Sequence, residues 1–242
     1  MTGVDLGAAR GNELLNGLRD SDLTELLADA FEVELPLGTV LYQPGEPVAT
    51  VHFPLDGVVS IVTDLGDEVV EAATVGYEGM SGISVFLGAG MPTERAIVQV
   101  AGRAITLGAD EFARAAAIVD GPFYAIMRRY AQVLFTQLAR NAGCNRVHVV
   151  QQRAARWLLT TADRMHSPTF DITQEFLAQM LSVRRASVSR VARSLAHAGA
   201  IAYVRGTLTI LDREQLESYT CDCYRVVRDA TDVALSSATA LR

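Results

Sequence analysis

Apolar residues recur at two different periods along this 242-residue chain. In the first half they come in short runs: Val40 to Tyr42, Val51 to Phe53, Val58 to Val62, Val69 to Val75, Ala96 to Val100 and Ala104 to Leu107. Turn-forming clusters separate the runs: Pro44-Gly45, Pro54-Leu55-Asp56-Gly57, Leu65-Gly66-Asp67, Gly76, Gly88 to Gly90 and Ala101-Gly102. Short runs with this punctuation predict the strands of an antiparallel sandwich or jelly-roll-like β-roll. One leading helix is predicted over Leu14 to Leu27.

From Pro122 the period becomes helical, proline suits a first turn, and the pattern runs on towards Val149. Ala131, Leu134, Leu138, Asn141, Asn145 and His148 recur at spacings of three and four, apolar first and polar later. Polar members of such a seam cost stability but fix register and partner number, so it predicts a parallel homodimer. The competing reading, a stripe packed on the chain's own β-domain, is held second. A further helix, Val150 to Met165, carries Trp157 and Leu158 as expected core residues.

The segment from Asp171 to Leu211 reads as two short helices, a tight turn and a hairpin. Phe176, Leu177, Met180 and Leu181 form the apolar stripe of the first helix; Thr173 stands at its N-cap and Glu175 in its first turn. Val188, Val191, Ala192 and Leu195 form the packed stripe of the second helix, and Gly199 stops it. At 100° per residue, Ala186, Ser189, Arg190 and Arg193 fall on the opposite arc, with Arg185 at its edge. Ile201 to Val204 and Leu208 to Leu211 flank Arg205-Gly206-Thr207, a predicted hairpin tip able to touch phosphate. This is the layout of a winged helix-turn-helix, whose second helix a major groove admits and whose arginine forks match the O6/N7 edge of guanine. A charged outer face is usually just solvated, but the added wing and the hydroxyl-and-arginine face favour DNA. Ser182 stands in the turn, where a left-handed conformation would cost about 1 kcal/mol.

Charge sharpens the division. The whole chain carries a net −7, a poor balance for a nucleic-acid binder. Residues 1–121, however, hold 5 Arg against 19 acidic residues, a net −14, whereas residues 122–242 hold 16 Arg against 9, a net +7. There is no lysine, so every basic side chain is a guanidinium or an imidazole. The second half matches phosphate electrostatically and the first repels it, which suggests two domains with two tasks. No apolar run reaches the roughly 20 residues of a membrane span, no secretory signal is expected at the N-terminus, and three cysteines suit a reducing cytoplasm.

With both halves read, the chain resembles the Crp/Fnr family of bacterial transcription regulators over nearly its full length. The order of β-roll, long helix and winged helix is the family's, and Leu37-Gly38-Thr39-Val40-Leu41-Tyr42-Gln43-Pro44-Gly45-Glu46 and His52-Phe53-Pro54-Leu55-Asp56-Gly57-Val58-Val59 look like its strand-turn motifs. The resemblance implies an α+β fold: a cyclic-nucleotide-binding-like roll over 1–121, a dimerisation helix over 122–148 and a winged helix-turn-helix over 149–242. It implies Arg185 and Arg190 as base readers, and Thr173, Gln174 and Ser187 at positions that usually touch phosphate. Arg184, Ser189, Arg193 and Arg205 complete the expected DNA-binding set. Ala186 stands where the family often has glutamate, so the half-site should depart from the familiar TGTGA and TTGAT types, and its methyl group would suit thymine. Implied partners are double-stranded DNA, a second copy of the chain and RNA polymerase.

The resemblance also locates a candidate effector pocket at Gly79, Met80, Gly82, Arg95, Ala96 and Leu138. Where cyclic-nucleotide binders carry a ribose-gripping glutamate this chain has Met80, and where they carry a hydroxyl after the arginine it has Ala96. Leu138-Ala139 replaces the purine-reading Thr-Ser pair. Losing several buried polar contacts, each worth about 1–3 kcal/mol, argues against an ordinary cyclic AMP response. Cys144, Cys221 and Cys223 are too few for a four-cysteine iron–sulfur cluster and lie in the wrong part of the chain. The Cys221-Asp222-Cys223 pair is compatible with metal or redox chemistry but is more often incidental near a chain end. His52 is expected to pack, His148 to pair across the dimer two-fold, and His166 and His197 to lie at the surface. No metal, cofactor or catalytic residue is therefore expected. Cupin-type enzymes need a His-x-His set that the first half lacks. A divergent cyclic-nucleotide responder and a protein-binding adaptor stay open as alternatives.

Overall fold

Nine residues lie outside what the computed structural model describes; it covers residues 4–66, 68–118 and 121–239, and the expected turn residue Asp67 is among those not described. Three short helices, α1 (Leu6–Ala9), α2 (Glu13–Asn16) and α3 (Asp20–Leu26), precede the first strands. The single helix expected over Leu14 to Leu27 is thus two, broken at Gly17 to Arg19. Leu14, Leu15, Leu18, Leu23, Leu26 and Leu27 are all buried, so one apolar stripe serves two helices at an angle. Asn12 fixes the start of α2: its Oδ1 accepts from the Leu14 and Leu15 amides and its Nδ2 donates to the Pro54 and Gly79 carbonyls.

Seven strands follow: β1 (Phe31–Leu35), β2 (Val40–Tyr42), β3 (Thr50–Pro54), β4 (Val58–Leu65), β5 (Glu68–Val75), β6 (Arg95–Val100) and β7 (Gly102–Gly108). They form two antiparallel sheets, β1-β7-β3 and β2-β6-β4-β5, the roll that the turn punctuation predicts. Strand β1 escapes a hydropathy reading because Glu32 and Glu34 alternate with its apolar residues at a sheet edge. Helices α4 (Ile83–Phe86) and α5 (Ala109–Ala116) are also additions.

The long helix α6 (Pro122–Val147) begins at the proline and is capped by His148. It is followed by α7 (Val150–Met165), β8 (Thr169–Asp171), α8 (Gln174–Met180), α9 (Arg185–His197), β9 (Ile201–Val204), β10 (Thr207–Ile210), α10 (Arg213–Ser218) and α11 (Cys223–Thr239). One core joins α2, α3, α5 and α6 to the roll around Phe53, Met80, Phe112 and Tyr130. A second joins α7 to α10 around Trp157, Leu177, Val188 and Leu195, and it takes in Val62 of β4.

A buried polar layer docks α7 and α6 on the sheet β4-β5-β6. Trp157 donates its indole N–H to Glu71 (3.0 Å), whose other oxygen accepts from Ser60 (2.8 Å). Burial pushes the Glu71 carboxyl up to about 7, against the pull of its hydrogen bond from Ser60 and of Arg156 and Arg164. Gln99 donates to Thr161, and Gln137 donates to Thr74. Arg164 reaches from the last turn of α7 to Glu78 (2.7 Å), both side chains about nine-tenths buried, and also donates to Thr74. Gly76 is needed where the Arg164 stem passes: a Cβ there would stand 2.5 Å from Arg164 Cγ.

This layer corrects the expected dimer seam. Asn141 is buried, donates to the Ala72 carbonyl (2.8 Å) and accepts from Arg156 (2.7 Å), so it faces the chain's own roll. Leu134 packs on the first core, and His148 turns towards Cys223. Ala131, Leu138 and Asn145 keep the outward side, together with Phe135 and Ala142. These five recur at spacings of four and three, so the free stripe is the expected one rotated by part of a turn.

Candidate nucleic-acid interface

Residues 169 to 210 fold into a three-stranded sheet, β8-β10-β9, against a helix pair. Thr173 caps α8, its Oγ1 accepting from the Phe176 amide (3.1 Å). Leu177, Ala178, Met180 and Leu181 are buried, as the stripe predicts, while Phe176 is partly so. The helix ends in a Schellman turn: the Ser182 amide donates to the Gln179 carbonyl (3.0 Å) and the Val183 amide to the Ala178 carbonyl (2.9 Å). Ser182 adopts φ +48°, the left-handed conformation that glycine takes without strain. Ser182→Gly is therefore expected to raise stability by about 1 kcal/mol, read by urea denaturation; an unchanged or lower midpoint would contradict the strain.

Arg153 is a positioning residue of the helix pair that the sequence reading does not single out. It is buried in α7 and donates to the Leu181 carbonyl, at the negative end of α8, so it ties α7 to the turn. Its only signal in the sequence is an arginine among the apolar positions of α7. Gln174 accepts from Ser189 (2.5 Å), which sets the start of α8 against the middle of α9.

Helix α9 buries Val188 and Leu195 and half-buries Val191 and Ala192. A second Schellman turn at Gly199 (φ +82°) closes it, with the Ala200 amide donating to the Leu195 carbonyl. Arg184, Arg185, Ala186, Arg190 and Arg193 are exposed, and Ser187 and Ser189 are half-exposed. No acidic residue lies within α9. Glu175 approaches Arg185 at 3.7 Å with both side chains open to solvent, a contact of little energy. The outer arc is thus a row of exposed guanidinium groups, with the half-exposed Ser187 and Ser189, the latter already donating to Gln174, between them.

The hairpin differs in one detail from expectation. Thr207 pairs with Val204 in the ladder, so the tip is the two residues Arg205 and Gly206, at φ +51° and +92°. That is a type I′ turn, whose twist suits a tight hairpin. Thr207 donates to Asp171 (2.7 Å) and Tyr203 to the Ile172 carbonyl (2.6 Å), which fixes the hairpin on β8, and Arg205 is exposed at its tip.

Of the six candidate effector residues, Gly79, Met80 and Gly82 lie in the segment after β5, Arg95 and Ala96 on β6, and Leu138 on α6. Met80 lies in the first core, where Tyr130 of α6 donates to its carbonyl (2.9 Å). The Tyr130 ring leaves no room for a side chain at Gly79, whose Cβ would stand 2.5 Å from its oxygen. Ala96 belongs to a separate cluster with Val59 and Val98, Arg95 pairs with Asp64 (3.0 Å), and Leu138 faces solvent. Gly82, at φ +96°, opens α4.

A family model of the Crp-like helix-turn-helix domain matches residues 152–219. No curated protein matches the chain in sequence. Among solved structures, FixK2 from Bradyrhizobium japonicum superposes with a TM-score of 0.68 at 15% identity, covering 79% of this chain and 98% of that one. A regulator from Eubacterium rectale assigned to the Crp/Fnr family gives 0.66 at 16% identity, covering 87% and 98%. The c-di-GMP responsive global regulator CLP from Xanthomonas campestris gives 0.62 at 15%, covering 80% and 100%. Among the described residues no helix is long and apolar enough to cross a membrane. Residues 152–219 form a Crp-like helix-turn-helix domain, and the chain that carries it has the fold of the Crp/Fnr transcription regulators.

Proposed function

We propose that the chain is a sequence-specific transcription regulator that binds a near-palindromic DNA site as a homodimer. The observation that carries this is the outer side of α9: exposed arginines at 185, 190 and 193, a fourth, Arg184, at its N-cap, no carboxylate within the helix, and a C-terminal end closed by the Gly199 turn. In this reading α9 enters the major groove, Arg185 and Arg190 read base edges, and Thr173, Gln174, Ser187 and the wing residue Arg205 approach phosphate. Ala186 presents a methyl group to the groove.

Dimerisation is supported by the outward stripe of α6, where Phe135 is 66% and Leu138 43% exposed. Two such stripes in parallel would set the half-sites about one DNA turn, roughly 34 Å, apart. RNA polymerase is the further partner this reading includes. The roll then senses an effector by contacts other than the usual cyclic AMP set, or acts as a scaffold. The filling of the Gly79–Met80 region by Tyr130 supports that view.

Selection from a random DNA pool, followed by Arg190→Ala on the selected site, tests the proposal. The variant should lose about 1–3 kcal/mol of specific affinity and relax its preference at one base pair. Unchanged affinity together with unchanged preference would remove α9 from the groove.

A further inference from the structure

Four side chains with metal-binding atoms meet at the end of the long helix. Cys144 lies in the last turn of α6 and His148 is its cap; Cys221 precedes α11 and Cys223 is its first residue. Their ligand atoms all lie within 4.8 Å of one another. The Cys144 and Cys221 sulfurs are 3.6 Å apart, and Cys223 Sγ is 3.8 Å from His148 Nδ1. A tetrahedral zinc site with Zn–S bonds of about 2.3 Å has edges of about 3.8 Å between its sulfurs. The three buried thiols form a cluster of their own, apart from the larger apolar cores.

We propose that Cys144, His148, Cys221 and Cys223 bind one zinc ion in a closed, tetrahedral Cys3His site. Three thiolates, a neutral imidazole and a divalent ion leave one net negative charge. Arg156, which donates to Asn141 one turn before Cys144 (2.7 Å), brings a positive charge to this end of α6. Four protein ligands leave no open position, which makes the site structural. An iron–sulfur cluster spreads its ligands around a cage of several atoms, wider than these four allow. A Cys144–Cys221 disulfide would use two sulfurs and leave the half-buried imidazole of His148 and the third thiol without a role. The ion would pin the start of α11 to the end of α6, beside the His148–Val149 junction from which α7 leads into the helix-turn-helix.

In this proposal His148 serves the cysteine cluster, 3.8 Å from Cys223 Sγ, in place of the pairing across a two-fold that the seam predicts. The test uses the full-length chain, reduced, stripped with a chelator and titrated anaerobically with cobalt(II). One equivalent per chain should give the intense visible bands of tetrahedral cobalt with sulfur-to-metal charge transfer. Zinc should displace cobalt and protect all three thiols from alkylation. His148→Ala and Cys223→Ser, checked for native circular dichroism, should each weaken metal binding at least tenfold. Titration of the unmodified chain decides the matter even where a variant fails to fold. Absence of the cobalt bands with three freely alkylated thiols would overturn the proposal. So would a Cys144–Cys221 disulfide in protein alkylated directly from cells, or unchanged metal affinity in both variants.

Discussion

Replacing Arg164 with alanine should destabilise the chain by about 3–5 kcal/mol, because it strands a buried carboxylate. Glu78 is 8% exposed and pairs with Arg164 through both Nε and Nη2. A second carboxylate lies close by: Glu13 is raised by its own burial and by the charge on Glu78. Without the guanidinium the two acids would face each other and Thr74 would lose a donor. In a chain of this size the melting temperature should fall by roughly 10 °C. Because the pair joins α7 to the segment after β5, the roll and the helix-turn-helix should also unfold less cooperatively. In a Glu78→Gln background the cost of Arg164→Ala should shrink by more than about 1 kcal/mol, as expected for directly coupled partners. Equal costs in the two backgrounds would show that the pair contributes nothing specific.

Leu138→Glu should convert the dimer to a monomer and reduce affinity for a near-palindromic site by about a hundredfold or more. Leu138 is 43% exposed and is not a member of the buried clusters of its own chain, so the substitution should spare the fold of the protomer. Across a parallel two-fold it would bring two carboxylates together in place of an apolar contact beside Phe135 and Ala142. Each half-site would then be bound alone, and the gain from linking two recognition helices would be lost. Light scattering should report a monomer with an unchanged melting temperature at low concentration. A variant that stays dimeric and binds with full affinity would move the dimer interface away from α6.

Much of the fold was legible because local signals agree. Six of the seven strands of the roll are bounded by turn residues, and Pro122, Thr173 and Gly199 sit at the helix ends their chemistry favours. Helix α9 is legible for the same reason, since its buried stripe fixes which side its arginines take. What the sequence hid is long-range. Asn141 reads as a register-fixing seam residue, yet it serves a carbonyl 69 positions earlier, on β5. Arg153 and Arg164 look like ordinary helix arginines until the partners they meet in the fold are known. The cysteines show only an unremarkable C-x-C pair and a C-x3-H pair, because 77 residues separate the two sulfurs that meet. The leading helix is the opposite case: its apolar stripe continues unbroken across the break at Gly17 to Arg19.

The salt dependence of binding to the selected near-palindrome, set against a scrambled duplex of the same composition, tests the central claim most directly. The account predicts a preference of at least about a thousandfold for the selected site near physiological salt. It also predicts that log K falls linearly with log salt, with a slope of roughly −5 to −9 for a dimer making a handful of phosphate contacts per protomer. Equal affinity for both duplexes, or binding indifferent to salt, would contradict a recognition helix whose arginines meet DNA.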